Sequence, residues 1–150
     1  MSKAKSIYGT FSAVARLSEM INSDVKLYNY YNIFNDEIKY EILKSNLFKL
    51  DLHPDQKAFS LFHVYLLARK NNEKLSVLLD YLNKVLEYDC ENDKYRLHII
   101  DCLLQFKELN KAEDTLSDYL KNREKEILET FFLHGWDGIV FYSMFDAYFF

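Results

Sequence analysis

The chain has 150 residues, a formal net charge of −4 and 49% hydrophobic residues. That is too hydrophobic for disorder and lacks the basic stripe that nucleic-acid binding needs, and the size suits a single domain spanning 1–150. Three glycines and one proline leave little of the punctuation required by sheets and tight hairpins, so the expected class is all-α, an antiparallel helical array of seven or eight helices.

Lys3 and Lys5 precede Ile7 to Phe11 and an Ala13-Val14-Ala15 triplet, but Ser6, Gly9, Thr10 and Ser12 interrupt any apolar stretch. A secretory leader is therefore not expected, and a cytoplasmic location is. A first helix is predicted from about Thr10 to Ile21, ended by Asn22-Ser23-Asp24, whose side chains favour caps and turns. A second is predicted from Val25 to about Phe34. Asn35 caps a third that runs to about Leu50, with Asp36 and Glu37 at the positive end of its dipole.

Leu52-His53-Pro54-Asp55 is the clearest loop, and proline is tolerated in a first helical turn, so a fourth helix is predicted from there to about Lys70. Asn71-Asn72 turns the chain into a fifth helix carrying Leu75, Leu78, Leu79, Leu82, Val85 and Leu86. After the acidic stretch Glu87 to Asp93 comes a sixth, from about Asp93 to Glu108. It is apolar almost all round, which places it in the middle of a domain. Leu109-Asn110 begins a seventh helix on Ala112, Leu116, Tyr119 and Leu120, which continues through the charged residues Lys121 to Glu126 toward Leu133. No segment approaches the roughly 20 apolar residues of a membrane span.

A pattern recurs after 34 residues. Leu52, Asp55, Tyr65, Leu66, Ala68, Leu75, Leu78, Leu82 and Leu86 fall opposite Leu86, Asp89, Ile99, Ile100, Cys102, Leu109, Ala112, Leu116 and Leu120. That period belongs to stacked helix–turn–helix units. The stretch Leu86 to Asp93, followed by Tyr95 to Ala112, resembles the junction of two tetratricopeptide repeats, and the likeness extends over about residues 52–122. Ala112 stands where that family places a small residue. Ile100 and Leu66 depart from the family's small position, Leu78 from its alanine, and Arg69 from its large apolar residue. The resemblance implies a concave face formed by Ser60, His63, Leu67, Lys70 and Asn71, then Lys94, Leu97, Asp101, Leu104 and Gln105.

Catalytic and metal-binding patterns fail. From Asp89, a calcium loop of the EF-hand type would need glycine and glutamate where Lys94 and Ile100 stand. His98 and Cys102 have the spacing of two ligands on one helix face, yet no second pair accompanies them. Cys90 and Cys102 are expected as free thiols, since a bridge between the turn and mid-helix would be strained. No phosphate loop or nucleophile elbow is present. No cofactor, metal, nucleic acid or membrane is expected.

Phe131 to Phe150 holds nine aromatics around His134-Gly135-Trp136-Asp137-Gly138. The expectation is an aromatic cap over 131–150, with an exposed docking surface centred on Trp136 as the alternative. Together these features point to non-catalytic protein binding by a small inhibitor or immunity-type protein. It would cover a partner's active surface, a basic toxin or nuclease being the chemistry that Glu87, Asp89, Glu91 and Asp93 would meet. The alternative is an adaptor or chaperone holding a peptide through His63, Lys70, Lys94 and Asp101. An uncharacterised helical enzyme comes third, and self-association into a homo-oligomer is left open.

Overall fold

The computed structural model describes residues 5–9 and 13–132. The chain is mostly helical, but it also contains a two-stranded parallel ribbon absent from the all-α expectation. In chain order the elements are β1 (Ser6–Gly9), α1 (Ala13–Ile21), β2 (Lys26–Asn29), α2 (Tyr30–Ile33), α3 (Asp36–Asn46), α4 (Pro54–Lys70), α5 (Leu75–Tyr88), α6 (Asp93–Gln105) and α7 (Leu109–Phe132). Among the described residues, six helices of nine residues or more and the single turn α2 stand where seven or eight helices were expected. The elements group into two compact units, Met1–Ile42 and Leu43–Phe150, and α3 begins in one and ends in the other.

In the first unit the predicted helix from Val25 to Phe34 is replaced by β2 and α2. The side chain of Asn22 accepts from the Asp24 N–H at 3.1 Å and its carbonyl accepts from the Val25 N–H at 3.0 Å. The chain leaves this turn extended, and Leu27 and Asn29 then alternate with Lys26 and Tyr28 at the period of a strand. β1 supplies the partner, in a register that sets Ser6 beside Lys26 and Tyr8 beside Tyr28. The two tyrosine rings stack at 5.1 Å. α1 packs on β2, and Glu19 accepts from the Leu27 N–H at 3.4 Å. Asn35 caps α3 as expected, accepting from the Ile38 N–H at 2.8 Å.

In the second unit, α4 has the predicted bounds because both ends are chemically marked. His53 and Gln56 form a reciprocal capping box, with Pro54 in the first turn. The far end closes with Asn72 in the left-handed region, φ 57, while the Glu73 N–H reaches the Ala68 carbonyl at 3.0 Å. α6 closes identically: Lys107 has φ 63, and the Glu108 N–H reaches the Leu103 carbonyl at 2.9 Å. Short turns fold each helix back on its predecessor, so α4 packs on α5, α5 on α6 and α6 on α7.

These two endings share a spacing that differs from 34 residues. Asn72 and Lys107 are 35 residues apart, and the same shift pairs the buried residues Val64 with Ile99, Tyr65 with Ile100, and Ala68 with Leu103. A shift of 34 would pair the exposed Leu66 with the buried Ile100. α5 and α7 still begin 34 apart, at Leu75 and Leu109, because the α4–α5 turn is one residue longer than the α6–α7 turn. α6 is the central helix, as its composition required: Tyr95, Leu97, Ile99, Ile100, Cys102 and Leu103 are all buried. No helix among the described residues is long and apolar enough to cross a membrane.

Lys107 pays the steric penalty of a left-handed residue with a Cβ, which Asn72 largely escapes. Lys107→Gly is expected to stabilise the fold by up to about 1 kcal/mol, raising the melting temperature by a few degrees. A calorimetric scan showing a lower midpoint would contradict this assignment of the turn.

Candidate functional site

Two polar clusters are built on α6, one at its N-terminus and one at its middle. The first begins with the turn from Glu87 to Asp93. The Asn92 side chain accepts from the Lys94 N–H at 3.3 Å, capping α6, and donates to Asp89 at 3.1 Å. Burial and then the Asp89 carboxylate push the Tyr95 hydroxyl above its ordinary pKa. Asp93, only 4% exposed, does not belong to an open acidic edge. Arg123 grips both its oxygens, at 2.9 and 3.2 Å, and Arg96 donates to it at 3.0 Å while lying over the Tyr119 ring.

The same Arg123 donates to the Glu91 carboxylate at 3.1 Å and to the Glu91 backbone carbonyl at 3.4 Å. Hydrogen bonding and charge from Arg123 hold the Glu91 carboxyl below the usual carboxylate range. Arg123 has a non-helical backbone, φ −145 and ψ 37, so α7 kinks where its side chain turns back to α6. The predicted acidic stretch is thus divided. Asp93 is an internal anchor, Asp89 is half-buried and bonded, and Glu87 and Glu91 remain exposed.

The second cluster joins α4 to α6. Arg69 pairs with Asp101 at 2.6 Å, and Asp101 is 2% exposed. Arg69 also donates to the Tyr65 hydroxyl at 3.1 Å, which lies 3.3 Å from the Cys102 sulfur and 3.4 Å from His98 Nδ1. Phe62, Tyr65 and Tyr95 surround this group, with Phe62 5.0 Å from the His98 ring and 5.1 Å from Tyr95. Burial, reinforced by the Arg69 charge, lowers the His98 pKa to about 4. Burial likewise pushes the Cys102 thiol up. The imidazole and the thiol are therefore neutral near pH 7, and a neutral buried thiol is a poor nucleophile and a poor metal ligand.

Placement of the groove residues differs from the expectation. Leu67, Leu97 and Asp101 are buried where an open concave face was implied, and Arg69 of α4 pairs there with Asp101 of α6. Ser60, His63, Lys94 and Leu104 are half-buried, while Lys70, Asn71 and Gln105 are exposed. Trp136 and the aromatic tail beyond Phe132 lie outside the described residues. Cys90 is exposed, Cys102 is buried, and both are free thiols. Among the described residues no group of three or more His, Cys, Asp or Glu is placed to hold a metal ion.

Arg96 and Arg123 were not singled out by the sequence, and Tyr65 was noted only as a position of the 34-residue pattern. One signal was available for Arg69: a charge at an apolar repeat position, with the complementary Asp101 one helix pair later. Arg123 gave none, since it sits among six consecutive polar residues. No protein-family model, curated protein or solved structure matches the chain.

Proposed function

We propose that this is a non-catalytic cytosolic protein of the inhibitor or immunity type, a tetratricopeptide-like helical stack that neutralises a basic protein partner by covering its active surface. The observation that carries this reading is the construction of the α5–α6 turn. Arg123 and the Asn92 cap fix the backbone on which Glu87 and Glu91 are exposed, with the Glu91 carboxylate itself held by Arg123. A rigid acidic edge meets a partner with little ordering cost and speeds its encounter through charge. Neutral, enclosed His98 and Cys102 also favour a structural over a chemical role for the central cluster.

The test is affinity capture from the native cell with the wild-type chain and with Glu87→Lys/Glu91→Lys. A basic protein should be recovered by the wild type, released as salt rises, and lost from the double variant at unchanged helical content. Equal recovery by both chains would reject the acidic edge as the binding surface.

A further inference from the structure

α4 presents a second surface, independent of the acidic edge. Asp55, Phe59, His63, Leu66 and Lys70 follow the i, i+4, i+7 spacing of one helix face. Phe59 is 68% exposed and Leu66 42% exposed, about two turns apart on that face. Beside Phe59 lies an open hollow of about 380 Å³, bounded by Leu52, Asp55, Gln56, Phe59 and Ser60.

The order of residues along this face is self-complementary. If two copies of α4 lie antiparallel about a two-fold axis between Phe62 and His63, Phe59 of each meets Leu66 of the other. The same operation sets Asp55 against Lys70, because both pairs are centred on one point of the helix. Within one chain those two charges are about 22 Å apart along the helix axis, and Asp55 lies instead 3.4 Å from His53 Nδ1. A closed two-fold interface requires this reciprocity, in which residue i meets j and j meets i. Antiparallel helix dipoles and a Leu66 side chain entering the hollow beside Phe59 of the other copy add to the fit.

We infer that the α4 face is an interface between two copies of this chain, paired antiparallel through Phe59 and Leu66 and aligned by Asp55 and Lys70. The occupant is a second copy because the face carries both halves of its own complement, apolar and charged. Sedimentation equilibrium on the full chain tests it, at concentrations up to about 1 mM since one helix face is small for a stable interface. The mass is expected to rise with concentration toward twice the 18.0 kDa of one chain.

Phe59→Asp should weaken pairing at least about tenfold, as loss of a central apolar anchor does. Phe59 is exposed, so the fold survives that change. Asp55→Lys alone should also weaken pairing, and Asp55→Lys/Lys70→Asp should restore it. In a Cys90→Ser background, His63→Cys beside the axis should form an intermolecular disulfide, whereas Glu87→Cys should not. A wild-type chain that stays monomeric throughout would overturn the proposal, including the case in which another part of the same chain covers α4. A dimer indifferent to Phe59→Asp and to the charge exchange would overturn it equally.

Discussion

Arg69→Ala is expected to destabilise the protein by about 3–5 kcal/mol, the usual cost of stranding one buried member of an ion pair. Asp101 would remain enclosed without its guanidinium, and Gln105, which donates to it at 3.4 Å, is neutral. The Tyr65 hydroxyl would also lose the cation that donates to it at 3.1 Å. Removing both charges together, as in Arg69→Met/Asp101→Leu, should cost much less, because no uncompensated carboxylate is left and the apolar volume is refilled. Urea titrations of the single and double variants decide the matter. Equal losses would mean that the pair itself supplies the stability; a negligible loss from Arg69→Ala would mean that Asp101 is not enclosed as described.

The second large effect is acid sensitivity. In the unfolded chain His98 takes up a proton near pH 6.5, but in the folded chain it refuses one until about pH 4. Between those values the unfolded state binds more protons, so stability falls as pH falls. Above pH 6.5 the contribution is fully present, and by pH 4 about 3 kcal/mol has been lost. Phe62, Tyr65 and Arg69 of α4 face the imidazole, and the Arg69 charge opposes the incoming proton. His98→Phe keeps a ring on Phe62 and removes the titration. Its stability should therefore be flatter than wild type across that range, whatever it costs near neutrality. Parallel slopes for the two proteins would show that His98 is not held neutral by the fold.

How far the sequence carried depended on whether the decisive contacts were local. The approximate bounds of α4 were legible because His53, Pro54, Asn71 and Asn72 act on their immediate neighbours. The centrality of α6 was legible because an all-round apolar helix has only one place to go. β2 was not legible. Lys26 to Asn29 is short enough to read as either period, and its pairing with Ser6 to Gly9 is set about 20 residues away in sequence.

The spacing of the helix endings is likewise set by a loop. A turn longer by one residue between α4 and α5 moves the buried faces without disturbing the leucines at 34 that suggested the repeat. At the candidate site, Glu87 and Glu91 are exposed. Asp93 is enclosed, which the sequence did not indicate, since its partner Arg123 lies 30 residues on and reaches it through the kink in α7. Among the groove residues, Asp101 is enclosed with Arg69 of α4, a pairing that periodicity does not encode.

The central claim is that the exterior of the helical stack acts and its interior polar clusters only hold it together. The most direct measurement compares two equally folded variants in one native-cell capture: Glu87→Lys/Glu91→Lys on the surface, and Arg69→Met/Asp101→Leu inside. Loss of the captured protein from the surface variant, with full recovery by the interior variant, is the predicted result. The reverse pattern, recovery by the surface variant and loss from the interior one, would contradict it.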